Sequence, residues 1–408
     1  MLVLFMEEVM KLRGTFLFCF LLIIAGSAGS TDWPQYRGPG RDGISKETGL
    51  LKSWPADGPK LIWKVPIGEG YSGISVVQGR IFTMDAKASD EFVVCLDAAT
   101  GKEIWRFRSD SNFINDQGNG PRGQPTVDGN LVYAFGAQGT LYALNASDGT
   151  KVWEHNQKTL EAKIPIWGYS SSPLIEGNLL ILPVGGAEGN AVMAFDKKKG
   201  SIVWKSATDE PGYSSPVAVT VNGVRQIIVF SGTMLLSVSP TEGKVLWKYP
   251  WKTDWFVNAA VPIFIPSDKI FISTDYGTGS ALLRVRTGGV DEVWLTKSMK
   301  NHFNSSVLFD GHIYGFDNAI LTCIDANTGE EKWQKSGFGK GSLILADGHL
   351  IVLSERGQLA LAEATPQEYR EKSTIQALQG KCWTQPTLSG GKLYLRNQKE
   401  MVCLQIGG

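Results

Sequence analysis

An excess of charge of either sign is missing from this sequence. Forty Lys and Arg balance 40 Asp and Glu across 408 residues. That balance excludes the basic footprint of a nucleic-acid-binding surface, and no Lys/Arg cluster marks a face for anionic membranes. Histidine is scarce: His155, His302, His312 and His349 form no ligand pair, and His312 and His349 each follow an Asp-Gly turn that accounts for them. No G-x-S-x-G motif and no P-loop is present, which removes nucleophile-elbow and P-loop phosphate chemistry. Cysteine is sparse, at five residues. The one long apolar run lies at the N-terminus and is too short for a secure spanning helix, so no transmembrane span is expected in the mature chain.

What is present is repetition. "LDAATGKEIWRF" at Leu96 to Phe107 returns as "IDANTGEEKWQ" at Ile324 to Gln334, with weaker copies from Leu144, Phe195 and Val238. The copy from Val285, "VRTGGVDEVWLT", keeps only the glycines and the tryptophan. Trp63, Trp105, Trp153, Trp204, Trp247, Trp294 and Trp333 thus mark a beat of about 40 to 50 residues, the length of one propeller blade.

Within a beat, short Val, Ile, Leu and Phe runs are separated by Gly and Asn clusters, the pattern of four strands joined by tight hairpins. Calling these strands A to D from the centre outward, D-x-x-T-G is the C to D turn and the tryptophan follows on strand D. There its flat ring can pack between blades. The tryptophans repeat with the fold, so they read as construction and not as a cofactor box. The chain ends complete each other: "KLIWKVPI" supplies a lone strand D, while Trp383 to Gly408 supply A, B and C. The unit Gly341 to Leu378 has lost its tryptophan, with strand D near Tyr369. The expectation is an all-β, eight-bladed β-propeller of four-stranded antiparallel blades, closed by pairing residues 61 to 67 with residues 401 to 406. Radial repetition leaves only short, protected sheet edges.

The N-terminal 30 residues differ in kind. Lys11 and Arg13 precede an apolar run from Thr15 to Ala25 and small residues from Gly26 to Ser30, the pattern of a cleaved secretory signal whose true start could be Met10. The expected divisions are a signal peptide at 1–30, a leader segment at 31–58 and the propeller at 59–408, with a periplasmic or secreted mature protein. Cys19 belongs to the apolar run. Cys95, Cys323 and Cys403 hold equivalent places on strand C of different blades, normally too far apart for a disulfide. Together with Cys382 they read as buried free thiols, with a disulfide as the alternative in an exported protein.

The pattern from Cys95 to Trp105, repeated from Cys323 to Trp333, resembles the repeat of pyrroloquinoline quinone (PQQ) propellers, which include quinoprotein alcohol dehydrogenases and the BamB-type scaffold of outer-membrane assembly. "DWPQYRGPGRDGIS" from Asp32 to Ser45 also resembles the leader of exported PQQ-like propellers. For a dehydrogenase the resemblance implies PQQ with Ca²⁺ held by Glu and Asn or Asp oxygens, an Asp base, a Trp under the ring and in many members a disulfide between adjacent cysteines. This sequence has no Cys-Cys pair and is shorter than most such enzymes.

The D to A loops of a propeller meet on one face around the channel. Here they bring Tyr71, Arg122, Trp167, Tyr169, Tyr213, Asn258, His302, Asn304, Lys340 and Trp383, a mixture of aromatic faces and polar tips that a bare strand start does not require. This mouth is the candidate ligand site. Three functions follow: a non-catalytic module binding an unknown small ligand or an envelope protein; a PQQ-dependent dehydrogenase with Asn258, Asn304 and Asp254 or Glu69 on calcium; and a BamB-like scaffold in envelope assembly.

Overall fold

Strand pairing follows the hairpin grammar of the repeats. The computed structural model describes residues 32–157, 162 and 164–408; the signal sequence expected at 1–30 lies outside them. Eight separate sheets are present, each with one blade's four antiparallel strands, and they form an eight-bladed β-propeller. The first blade is Ser75–Val77, Arg80–Lys87, Asp90–Asp97 and Glu103–Ser111. In the closing blade, Lys60–Pro66 pairs antiparallel with Glu400–Gln405, with Trp63 opposite Cys403, so the chain ends complete one sheet as expected. Cys95, Cys323, Cys382 and Cys403 are buried free thiols.

The recurring phrase builds the joint between blades. At its start Asp97 Oδ1 accepts from Thr100 N at 2.8 Å, and Gly101 takes the left-handed conformation at φ 71°. The tryptophan of the preceding blade then lies on that turn. The indole Nε1 of Trp63 donates to Ala98 O at 3.1 Å, Trp105 to Ala146 O at 3.1 Å, Trp153 to Lys197 O at 3.1 Å and Trp204 to Pro240 O at 3.0 Å. A Cβ on Gly149, Gly200 or Gly243 would stand 2.6, 2.6 and 2.5 Å from the facing ring. Glycine is needed there twice over, for its backbone angle and for the close approach of the indole.

Strand D is the outer edge of every blade, and in all eight it carries a β-bulge beside the tryptophan position. Trp105 pairs with Cys95 and Glu103 with Leu96, which leaves Ile104 as the extra residue; Val152, Val203 and Val293 are bulged in the same way. A bulge twists an edge strand and interrupts its ladder, which protects it from pairing with another chain.

Three joints depart from the rule; in one, the C to D turn of the seventh blade has no glycine, although Trp333 still donates to Thr365 O at 2.8 Å. The fifth blade turns through Gly288 and Gly289 without the D-x-x-T-G phrase, and Trp247 instead donates to Gln226 Oε1 of its own blade at 2.9 Å. In the seventh blade strand D is Arg370–Gln376, and Ser373 stands where the others have tryptophan. The leader fills that space. Trp54, 7 % exposed, enters the apolar cluster shared by the seventh and eighth blades, and its backbone N donates to Ser373 Oγ at 2.7 Å.

The rest of the leader runs across the channel. Trp33 bridges to Val76 in the first blade, Pro34 O accepts from Val127 N of the second at 2.8 Å, and Ile44–Ser45 adds a parallel fifth strand inside the seventh. The segment at 32–58 is therefore packed into the propeller along its length.

Candidate functional site

Because every D to A loop ends where an innermost strand begins, the eight loops converge on one cavity of about 410 Å³. Eight of the ten residues singled out in the sequence line it: Tyr71, Arg122, Trp167, Tyr213, His302, Asn304, Lys340 and Trp383. Tyr169 and Asn258 do not. Tyr169 is 1 % exposed and packs on Phe135 at 4.8 Å between ring centroids, turned into the core after the left-handed Gly168. Asn258 is fully buried, and its amide nitrogen donates to the carbonyls of Ser231, Gly232 and Trp251 while its oxygen accepts from Thr274 Oγ1 at 3.0 Å. A backbone-bracing Asn and a core Tyr are indistinguishable from site residues when read in a loop. Tyr213 stands in the same G-Y-S-S context as Tyr169 and yet faces the cavity.

The sequence reading missed Tyr36 from the leader, Tyr276 from a B to C turn, and Phe303. Phe303 is the chain neighbour of His302 in the same loop. For Tyr276 the one signal was an aromatic residue between Asp275 and Gly277, in a turn on the same face as the D to A loops.

One wall is an aromatic chain. Tyr71 stacks on Trp383 with centroids 5.2 Å apart, Phe303 meets Trp383 at 4.7 Å, and His302 links Phe303 to Tyr276 with 5.4 Å on each side. Trp167 and Tyr213 form a second pair at 5.9 Å. Polar partners fix the rings: Trp383 Nε1 donates to Glu355 Oε1 at 2.9 Å, and Tyr71 Oη donates to Gln117 O at 2.6 Å. Burial pushes the Tyr71 and Tyr213 phenols up to about 12, so both stay neutral hydrogen-bonding groups.

Two cations point into this setting. Arg122 donates through Nη2 to Gly118 O at 2.7 Å and through Nη1 to Gly120 O, and its guanidinium lies 4.7 Å from the centroid of Phe113 and 5.8 Å from that of Tyr71. Lys340 is the second. Burial and then the Lys340 charge lower the His302 imidazolium to about 4, which leaves His302 neutral near pH 7. Beneath Arg122, burial raises the Glu91 carboxyl to about 7, and its Oε1 accepts from Phe113 N at 3.0 Å. Among the described residues the lining contains no carboxylate.

The residues do not fit the calcium set that the resemblance implies. Asn258 is consumed by backbone carbonyls, the Asn304 amide donates to Gly341 O, and Asp254 and Glu69 are exposed and outside the lining. Among the described residues no three His, Cys, Asp or Glu side chains gather as metal donors. Calcium needs six to eight oxygen ligands, several of them carboxylate. What the arrangement can do is hold a flat or apolar body against rings while cations and neutral donors meet its polar end.

Comparison with known proteins agrees with the ring and its repeats. The outer membrane protein assembly factor BamB of Yersinia pestis is 23% identical over 326 residues, spanning 74% of this chain and 77% of that protein. The crystal structure of BamB from Moraxella catarrhalis superposes with a TM-score of 0.63 at 15% identity, over 85% of this chain and 99% of that one. A europium-containing methanol dehydrogenase superposes with a TM-score of 0.68 at 12% identity, over 89% of both chains. At these identities the structural likenesses establish the fold alone. The family model described as outer membrane protein assembly factor BamB matches residues 48–186 and 161–335. With most of its blades inside that match and eight of them closing the ring, the chain belongs to this family of PQQ-like β-propellers.

Proposed function

We propose that the protein is an exported, non-catalytic binding module that takes a small organic anion with an aromatic or apolar body into the channel mouth. One observation carries this reading: the cavity is walled by aromatic rings and holds Arg122 and Lys340, with no carboxylate among the described residues that line it. Such a lining favours a negatively charged guest and disfavours a metal ion. Export rests on the N-terminal pattern, and the mature chain is expected to begin between Gly29 and Asp32.

Titration of the purified protein with PQQ, with and without Ca²⁺, followed by an alcohol-dependent dye-reduction assay, tests the reading. Saturable, calcium-independent binding that weakens in Lys340→Ala and Trp383→Ala, without dye reduction, is the expected result. Calcium-dependent binding with dye reduction would replace it with a dehydrogenase.

A second reading has its own support. Ile114, Ile166 and Trp255 stand on D to A loops and are 70%, 58% and 65% exposed, an apolar rim suited to a protein partner. Relatives named as assembly factors make an envelope protein the natural occupant. Loss of a co-purifying envelope protein in Trp255→Ser, with ligand binding unaffected by mouth variants, would favour this scaffold role.

A further inference from the structure

The leader contributes a residue to the cavity, and the way it is held shows what that residue does. Between Trp33 and Ile44 the chain crosses the propeller axis, and its two arginines are pinned on different blades. Arg37, 1 % exposed, donates through Nη1 to Ser305 O at 3.1 Å and through Nη2 to Ser306 O at 2.5 Å and Asp42 O at 2.7 Å. Arg41, 4 % exposed, donates to Pro173 O and Ser172 O, each at 2.9 Å, and to Gln35 Oε1 at 3.0 Å. These carbonyls lie at the heads of the innermost strands of the third and sixth blades. Both arginines adopt left-handed backbone angles, φ 63° and 54°, which tighten the segment into successive turns. The terminal Nη groups of both guanidiniums hold the crossing on carbonyls of two blades, and leaving either buried charge without those partners would be costly.

Tyr36 immediately precedes Arg37 and lines the cavity, whereas Pro39 and Gly40 are exposed. The carbonyls that hold the arginines come one or two residues after cavity-lining positions such as Asn304 and directly at Ser172, so the crossing lies at the inner end of the mouth. Resting on the binding role given to the mouth, we infer that Tyr36 is its floor and sets the length of ligand it accepts, with Arg37 and Arg41 as positioning residues. The leader makes the channel a blind pocket. A guest enters and leaves by the D to A face, and a polymer does not thread through the ring.

Two probes of different length test this by isothermal titration, 2-naphthalenesulfonate and the longer biphenyl-4-sulfonate. Wild-type protein is expected to prefer the shorter one. Tyr36→Ala should move the ratio of affinities at least fivefold toward the longer probe, Tyr36→Trp should move it the opposite way, and Tyr36→Phe should leave it within twofold. A purely structural role for Tyr36 would lower the melting temperature without moving this ratio. If Trp383→Ala weakens both probes but none of the Tyr36 variants changes the ratio, the floor assignment is wrong and the mouth reading survives. If neither probe binds, or Trp383→Ala has no effect on either, both fail together.

Discussion

The two faces of the propeller are built by opposite rules. On the face of the C to D turns, one joint recurs around most of the ring: an indole from one blade lies on the left-handed glycine of the next and donates to a turn carbonyl. On the face of the D to A loops each loop presents a different set of residues, and these sets gather in one cavity. Residues that keep the period hold the blades together; those that break it are left to make a surface. The leader belongs to both, repairing one joint with Trp54 and contributing Tyr36 to the mouth.

Opening the ring should have the largest effect. Removing the last eight residues deletes strand C of the closing blade and leaves the edges of its B and D strands unpaired. The truncated chain is expected to lose cooperative folding, seen as loss of the thermal transition in circular dichroism. An unchanged melting temperature would show that closure does not depend on the paired ends.

The repaired joint ranks next. Trp54→Ala should destabilise the protein by about 3–5 kcal/mol, as other buried tryptophan truncations do. Chemical denaturation of a variant that lost less than about 1 kcal/mol would mean that the leader merely covers the seventh blade.

A pair of glycines sharpens the rule for the joints. Gly149 and Gly288 have nearly the same backbone angle, φ 74° and 78°, but a Cβ at Gly149 would meet the Trp105 ring at 2.6 Å while one at Gly288 would meet nothing within 4 Å. Gly149→Ala and Gly288→Ala share the left-handed penalty of about 1–2 kcal/mol. The first should cost about 1–3 kcal/mol more, because only there is an indole displaced. Equal denaturation midpoints for the two would remove close packing from the explanation.

The mouth responds to pH through His302. Its folded pKa of about 4 lies below the ordinary value of 6.5, so the unfolded state takes up the proton first. The stabilisation from a neutral His302 is complete above about pH 6.5 and is lost as pH falls through about 4. Relative to His302→Gln, the wild type should therefore lose denaturant resistance between about pH 7 and pH 4.5, and parallel curves would contradict the assignment.

Much of the fold could be read in the sequence because periodic residues announce themselves. Trp63 without a preceding triplet and Met401 to Leu404 without a following strand D were enough to predict the closing pair. The mouth was legible only in position: the loops were identified, but Tyr169 and Tyr213 share one local sequence and differ in which way the ring turns. Asn258 is spent on three carbonyls that no local pattern reveals. Tyr36 was the least visible, since its place depends on Arg37 and Arg41 reaching residues more than a hundred positions away. The missing tryptophan of the seventh blade is visible in the sequence, whereas the place of Trp54 beside Ser373 follows only from the packing.

Joint and mouth should be separable, and one paired measurement tests this: thermal melting together with 2-naphthalenesulfonate titration of Lys340→Ala and Gly149→Ala. Lys340→Ala should weaken the probe about tenfold or more, the worth of one charge-assisted contact, and melt like the wild type. Gly149→Ala should melt lower and bind the probe unchanged. If Lys340→Ala melted lower with its affinity intact, or Gly149→Ala lost affinity while still folded, the division between the two faces would be contradicted.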